Sequence, residues 1–193
     1  MKTLIALAVA MLPALARAEP FGSDVVTQGP IARKWVAASQ AISADVKSIN
    51  DCHNGVDSCS PAASRILSVA ETARNSHDIA RLSIVNRAIN MMVQSRPDAE
   101  DVWSGPIATM RDLKGDCEDY AIAKMTALYV SGVSFSEMRI VILRGRYDDH
   151  AVLSVRLEGR WYVLDNRHLA VVEDRAVKGF VPLASFTFNP KGG

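Results

Sequence analysis

The chain has 193 residues, 49% of them hydrophobic and 22% charged, enough apolar length for one compact domain with a substantial core. Lys and Arg number 22 against 21 Asp and Glu, and the basic residues are scattered without interleaved aromatics. That balance excludes an electrostatically driven nucleic-acid binder, and no internal repeat or low-complexity tract suggests a solenoid or a disordered chain.

The N-terminus belongs to a different physical class. Lys2 supplies positive charge, Leu4 to Leu15 is almost wholly apolar, and Ala16-Arg17-Ala18 presents a small-x-small cleavage site. Residues 1–18 read as a secretory signal peptide; an uncleaved anchor would need a longer apolar run. Loss of Lys2 and Arg17 with this leader leaves 20 basic against 21 acidic residues, a net charge of −1. Residues 19–30, with Pro20, Gly22, Gly29 and Pro30, form a flexible lead-in, and residues 31–193 a single domain.

From Ile31 the pattern turns helical. Ile31, Trp35, Ala38, Ile42 and Val46 recur at three- and four-residue intervals, and the loop between Cys52 and Cys59 ends the helix. Pro61 opens a second helix through about Thr72. Ile79, Leu82, Val85, Ile89 and Met92 mark one face of a third, over residues 77–94. Arg96 to Met110, broken by Pro97, Gly105 and Pro106, reads as a loop that Trp103 pins to the core.

At Lys114-Gly115-Asp116-Cys117 a turn feeds another helix. Gly115 permits a tight approach, Asp116 is placed to cap, and Asp119 is a shorter analogue of a capping-box partner. Ala121, Ile122, Met125, Leu128 and Tyr129 then repeat until Ser131-Gly132, so Cys117 falls in the first turn. Beyond it the period shifts to two. Arg139–Arg144, His150–Leu157 and Arg160–Asp165 are strands, Glu158-Gly159 is a two-residue hairpin turn, and the segment from Phe180 to Phe188 adds an edge strand. Helices followed by antiparallel strands make an α+β domain.

Export places three cysteines in an oxidising compartment. Cys52 and Cys59 are close enough for a local disulfide, which leaves Cys117 as the odd thiol. A buried, inert Cys117, or one paired with either of the others, are the alternatives. A thiol in a helix's first turn feels the positive end of the helix, which favours thiolate. The hairpin supplies a partner pair: with Leu157 opposite Arg160, the ladder sets Val152 opposite Asp165 and puts His150 on the same face, diagonal to that carboxylate. Cys117, His150 and Asp165 thus make a candidate nucleophile, general base and orienting acid, with free helix-start N–H groups available to an oxyanion.

The acidic rim of Asp116, Glu118 and Asp119 opposes a thiolate. A calcium ion held by these hard oxygen ligands would resolve the conflict. The plain alternative has Asp116 capping the helix and the other acids facing solvent.

The stretch Gly115-Asp116-Cys117-Glu118-Asp119-Tyr120-Ala121-Ile122-Ala123-Lys124 resembles the bacterial transglutaminase-like cysteine proteases, and among them the periplasmic proteases that release biofilm adhesins. Trp103 with Pro106, Asn86 in its helix, His150-Ala151-Val152-Leu153 and Val163-Leu164-Asp165-Asn166 extend the resemblance over residues 75–167, whereas Ser104-Gly105 and the Cys52–Cys59 loop depart from it. The resemblance implies a papain-like, transglutaminase-like fold with N-terminal helices followed by an antiparallel sheet. It implies a periplasmic cysteine endopeptidase using Cys117, His150 and Asp165, with Asp116, Glu118 and Asp119 as Ca²⁺ ligands. Its substrate would be a protein such as a large surface adhesin, and its restraint an inner-membrane receptor responsive to cyclic di-GMP. A protein-crosslinking transglutaminase, or a non-catalytic calcium-dependent binding protein, are the competing readings.

Overall fold

The computed structural model describes residues 29–97 and 100–190, so the expected signal peptide and most of the lead-in lie outside the described residues. Three helices come first: α1 (Pro30–His53), α2 (Pro61–Arg74) and α3 (Asp78–Met92). Their starts follow local chemistry. Proline occupies the opening turn of α1 and α2, and Ser60 caps α2 by accepting from the Ala63 N–H.

A two-residue strand β1 (Gln94–Ser95) pairs in parallel with β2 (Lys114–Gly115). Between them stands a helix the sequence reading missed, α4 (Pro106–Asp112), inside the stretch expected to be a loop. Pro106 begins it, and its cap comes from far away in the chain: Asp45 on α1 accepts the Ile107 N–H at 2.9 Å. A Cβ on Gly105 would sit 2.6 Å from that Asp45 carboxylate oxygen, so the contact requires glycine. Trp103 does anchor the segment, packing edge-on to Trp35 at 6.2 Å and to Phe186 at 5.8 Å.

Helix α5 (Cys117–Val130) is the axis of the fold. The sequence suggests one apolar stripe, yet every residue except Cys117 and Tyr129 is buried. Ala121, Ala123 and Ala127 keep it slim enough for helices to close on one side and the sheet on the other.

The remaining strands are β3 (Met138–Arg144), β4 (Asp149–Leu157), β5 (Arg160–Leu164), β6 (Val172–Glu173) and β7 (Val181–Phe186). They form an antiparallel sheet in the order β6-β5-β4-β3-β7. The tail therefore adds an edge strand, as expected, and Pro182 is tolerated there where the register shifts. One face, with Ile140, Ala151, Leu153, Val155 and Phe186, joins the helices in the main core. The other carries Val141, Leu143, Val152 and Val163, covered by Val177 and Phe180. This is the α+β arrangement expected from the sequence, N-terminal helices followed by an antiparallel sheet.

Candidate active site

The β4–β5 hairpin sets the first half of the site. Glu158 and Gly159 both take positive φ, 50° and 76°, as a tight two-residue turn demands. Leu157 pairs with Arg160, and the ladder runs in step to Leu153 opposite Leu164. That register brings His150 Nε2 to 2.8 Å from Asp165 Oδ1. The same carboxylate oxygen accepts the Arg167 N–H at 2.8 Å. Burial pushes Asp165 up, but the hydrogen bonds from His150 and Arg167 outweigh it and hold the carboxyl below its usual range.

The other ring nitrogen is left open. Among the described residues His150 Nδ1 has no hydrogen-bond partner, although it is sealed from solvent and the whole side chain is 1% exposed. The neighbouring Ala151 N–H faces Cys117, hydrogen-bonding the sulfur from the same strand. Cys117 is thus carried to the beginning of β4, while its thiol donates to Glu118 Oε2 at 3.1 Å. Cys52 and Cys59 form a disulfide and Cys117 is free, which resolves the pairing alternatives.

The electrostatics run against the expectation that the helix start would favour a thiolate. Burial raises the thiol first, the Glu118 charge adds to it, and the Ala151 N–H opposes both; the balance is about 12. Glu118 is itself pushed up to about 8, by burial and then by the charge of Asp116. The helix dipole acts on Cys117, but burial of the thiol, aided by the Glu118 charge, wins.

Asp116 stands at the N-cap position of α5, but its side chain makes no capping bond; it interacts with Glu118 instead. A buried carboxylate pressed against a half-buried one is what a hard divalent cation relieves, so Asp116 and Glu118 fit calcium chemically. Asp119 turns elsewhere. Its carboxylate accepts the Ser104 N–H at 2.7 Å and packs on Gly115, where a Cβ would come within 2.7 Å of the Asp119 Cβ. Among the described residues no three His, Cys, Asp or Glu side chains gather as a metal cluster, so backbone carbonyls would have to complete the shell.

Two asparagines on α3 brace the site. Asn90 Nδ2 donates to Asp165 O at 2.8 Å and His168 O at 3.0 Å, and Asn86 Nδ2 to His168 O at 2.9 Å and Leu169 O at 3.1 Å. Asn86 belongs to the motif legible in the sequence; Asn90 stands four residues on along the same helix face, and that i, i+4 spacing is its only sequence signal. On the outer sheet face a cavity of about 340 Å³ opens beside His150 and Asp165, walled by Val152, Val163, Val177 and Phe180.

A family model described as bacterial transglutaminase-like cysteine proteinase matches residues 38–178. No curated protein matches the chain. Among solved structures, Legionella pneumophila LapG in its calcium-bound form is 24% identical with a TM-score of 0.60, over 74% of this chain and 83% of that one. The EGTA-treated LapG structure is 22% identical with a TM-score of 0.58, over 78% and 82%.

Proposed function

Because the chain belongs to the bacterial transglutaminase-like cysteine proteinases, we propose that it is a cysteine endopeptidase cutting a polypeptide with Cys117, His150 and Asp165. The observation that carries the reading is the His150–Asp165 pair: one ring nitrogen is held by the carboxylate and the other is buried and unpartnered, on the strand that faces the thiol.

In this reading Cys117 turns from Glu118 to His150 Nδ1 and passes its proton to the ring. The thiolate attacks the peptide carbonyl carbon, and the first N–H groups of α5 stabilise the oxyanion. The imidazolium, braced by Asp165, gives its proton to the leaving amine as the C–N bond breaks, which leaves a thioester on Cys117. Water, deprotonated by His150, then cleaves the thioester and restores the thiol. The leaving half of the substrate lies on the His150 side, where the cavity beside Val152 and Phe180 offers an apolar wall.

Asp116 and Glu118 would hold Ca²⁺, whose charge offsets the acids that oppose thiolate formation; Legionella LapG has a calcium-bound form. Asp119 would contribute by fixing the Gly115 turn under the Ser104 strap. We assign the protein to the periplasm, with a surface adhesin as substrate and a cyclic di-GMP-responsive inner-membrane receptor as its restraint.

Purified wild type and Cys117→Ala, incubated with cell-surface protein extracts with and without a calcium chelator, test the proposal. Discrete fragments made by the wild type alone support it. Equal cleavage by Cys117→Ala refutes the mechanism, and isopeptide cross-links without fragments would assign a transglutaminase instead.

A further inference from the structure

His150 and Asp165 meet where the pairing of their strands has stopped. The last pair of the β4–β5 ladder at that end is Leu153 with Leu164, so Asp165 stands one residue beyond it. His150 is fixed from its other side, opposite Leu143 on β3. No strand among the described residues pairs with Asp165, because β6 meets β5 at Tyr162 and Val163. Across the open end, Arg167 Nη2 reaches Asp148 Oδ2 at 2.7 Å. Asp148 lies just before β4 and two residues before His150; Arg167 lies two residues after Asp165. The loop that presents Asp148 is stiff. Gly145 N–H donates to Asp148 O at 3.0 Å, and a Cβ on Gly145 would come within 2.7 Å of that oxygen and 3.2 Å of the Phe180 ring.

We infer that Arg167 and Asp148 are positioning residues: their ion pair clasps the β3–β4 loop to the turn after β5 and so holds Asp165 in line with His150 Nε2. The inference rests on reading His150 and Asp165 as the catalytic pair. Arg167 is tied at both ends. Its N–H donates at 2.8 Å to Asp165 Oδ1, the same oxygen that meets His150 Nε2, while its guanidinium is anchored on the segment leading into His150. The turn therefore cannot swing away from β4 without breaking the clasp. Asn90 holds the same turn from α3, through the Asp165 carbonyl, but makes no contact with β4. The side chains of Arg167 and Asp148 are 43% and 61% exposed, so the pair adds little to the stability of the fold. Its effect falls on alignment, to which proton transfer through a braced imidazole is sensitive.

Solvent exchange of the His150 Nε2 proton, followed by NMR on the purified protein, tests this without any substrate. Arg167→Gln keeps the backbone N–H on Asp165 and removes only the guanidinium; Asp148→Asn breaks the clasp from the other side. Each should speed exchange about threefold, the scale of an exposed ion pair, with Tm unchanged. The double variant should match either single one, because both remove the same link. Sodium chloride at about 1 M should speed exchange in the wild type and leave the double variant as it was. Wild-type exchange in both single variants, or effects that add in the double variant, overturns the inference. On a cleaved substrate, each single variant should lower kcat about threefold with KM unchanged. A wild-type kcat in both variants also overturns the positioning role. If no form of the protein cleaves anything while exchange changes as expected, the peptidase reading fails and the clasp stands.

Discussion

Glu118 Oε2 accepts the hydrogen bond of the Cys117 thiol at 3.1 Å, while the imidazole nitrogen of His150 that should receive its proton has no partner. Burial and the Glu118 charge beside it therefore keep the sulfur protonated. Removing the charge of Glu118 removes the second-largest cause of that, so Glu118→Gln should alkylate with iodoacetamide faster than wild type by about tenfold in chelator at pH 8. Equal rates would show that burial alone suppresses the thiolate.

Glu118 also makes stability depend on pH. Its folded pKa of about 8 lies above the ordinary carboxyl value of 4.5, so the folded state holds this proton more tightly than the unfolded chain. The associated stability is fully present below pH 4.5 and is lost as pH rises towards 8. In chelator the wild type should lose on the order of a few kcal/mol between pH 5 and pH 8, read by urea unfolding. Glu118→Gln should be flatter over the same window.

Calcium should reverse that loss. A cation between Asp116 and Glu118 favours their ionised forms, so added Ca²⁺ should raise Tm more at pH 8 than at pH 5. Asp116→Asn with Glu118→Gln should abolish the rise. A calcium shift that survives in this double variant would move the metal elsewhere.

Gly115→Ala should cost about 2 kcal/mol or more, because the added Cβ meets the Asp119 Cβ at 2.7 Å. Displacing Asp119 releases the Ser104 N–H, so the Trp103 fluorescence should change before global unfolding in a urea titration. A variant as stable as wild type would show that the turn has room to relax.

The Cys52–Cys59 disulfide gives a contrasting expectation. It closes a short loop near the C-terminal end of α5, where His53, Arg74 and Val130 line one recess, and α5 puts roughly 20 Å between that end and Cys117. Replacing both cysteines by serine should cost about 2–3 kcal/mol of stability and leave kcat unchanged. A loss of kcat in the folded variant would couple the two ends of the helix.

Much of this arrangement can be read from local pattern. The Glu158-Gly159 turn and the alternation on either side determine the register that joins His150 to Asp165, because both are short-range signals. Helix α4 is invisible in the same way of reading: its cap is Asp45, 62 residues earlier, and Gly105-Pro106 alone look like a break. Lys124 sits at a helical position where a charge normally faces solvent, and only enclosure by the sheet and the four other helices reverses that. The thiol shows a third limit. Opposition between the helix field and the acids is legible in the sequence, but its outcome depends on burial, which belongs to the whole fold.

Enclosure of α5 on all sides has a mechanical consequence. A rod clamped around its whole circumference has no free direction in which to slide or tilt, so the helix that carries the proposed nucleophile cannot serve as a moving part. Any switching of the proposed peptidase between idle and working forms would be confined to rotations of a few side chains at its tip and to the loops around the mouth. Small-angle scattering should not distinguish the two forms, whereas methyl resonances from Val177 and Ala151 should.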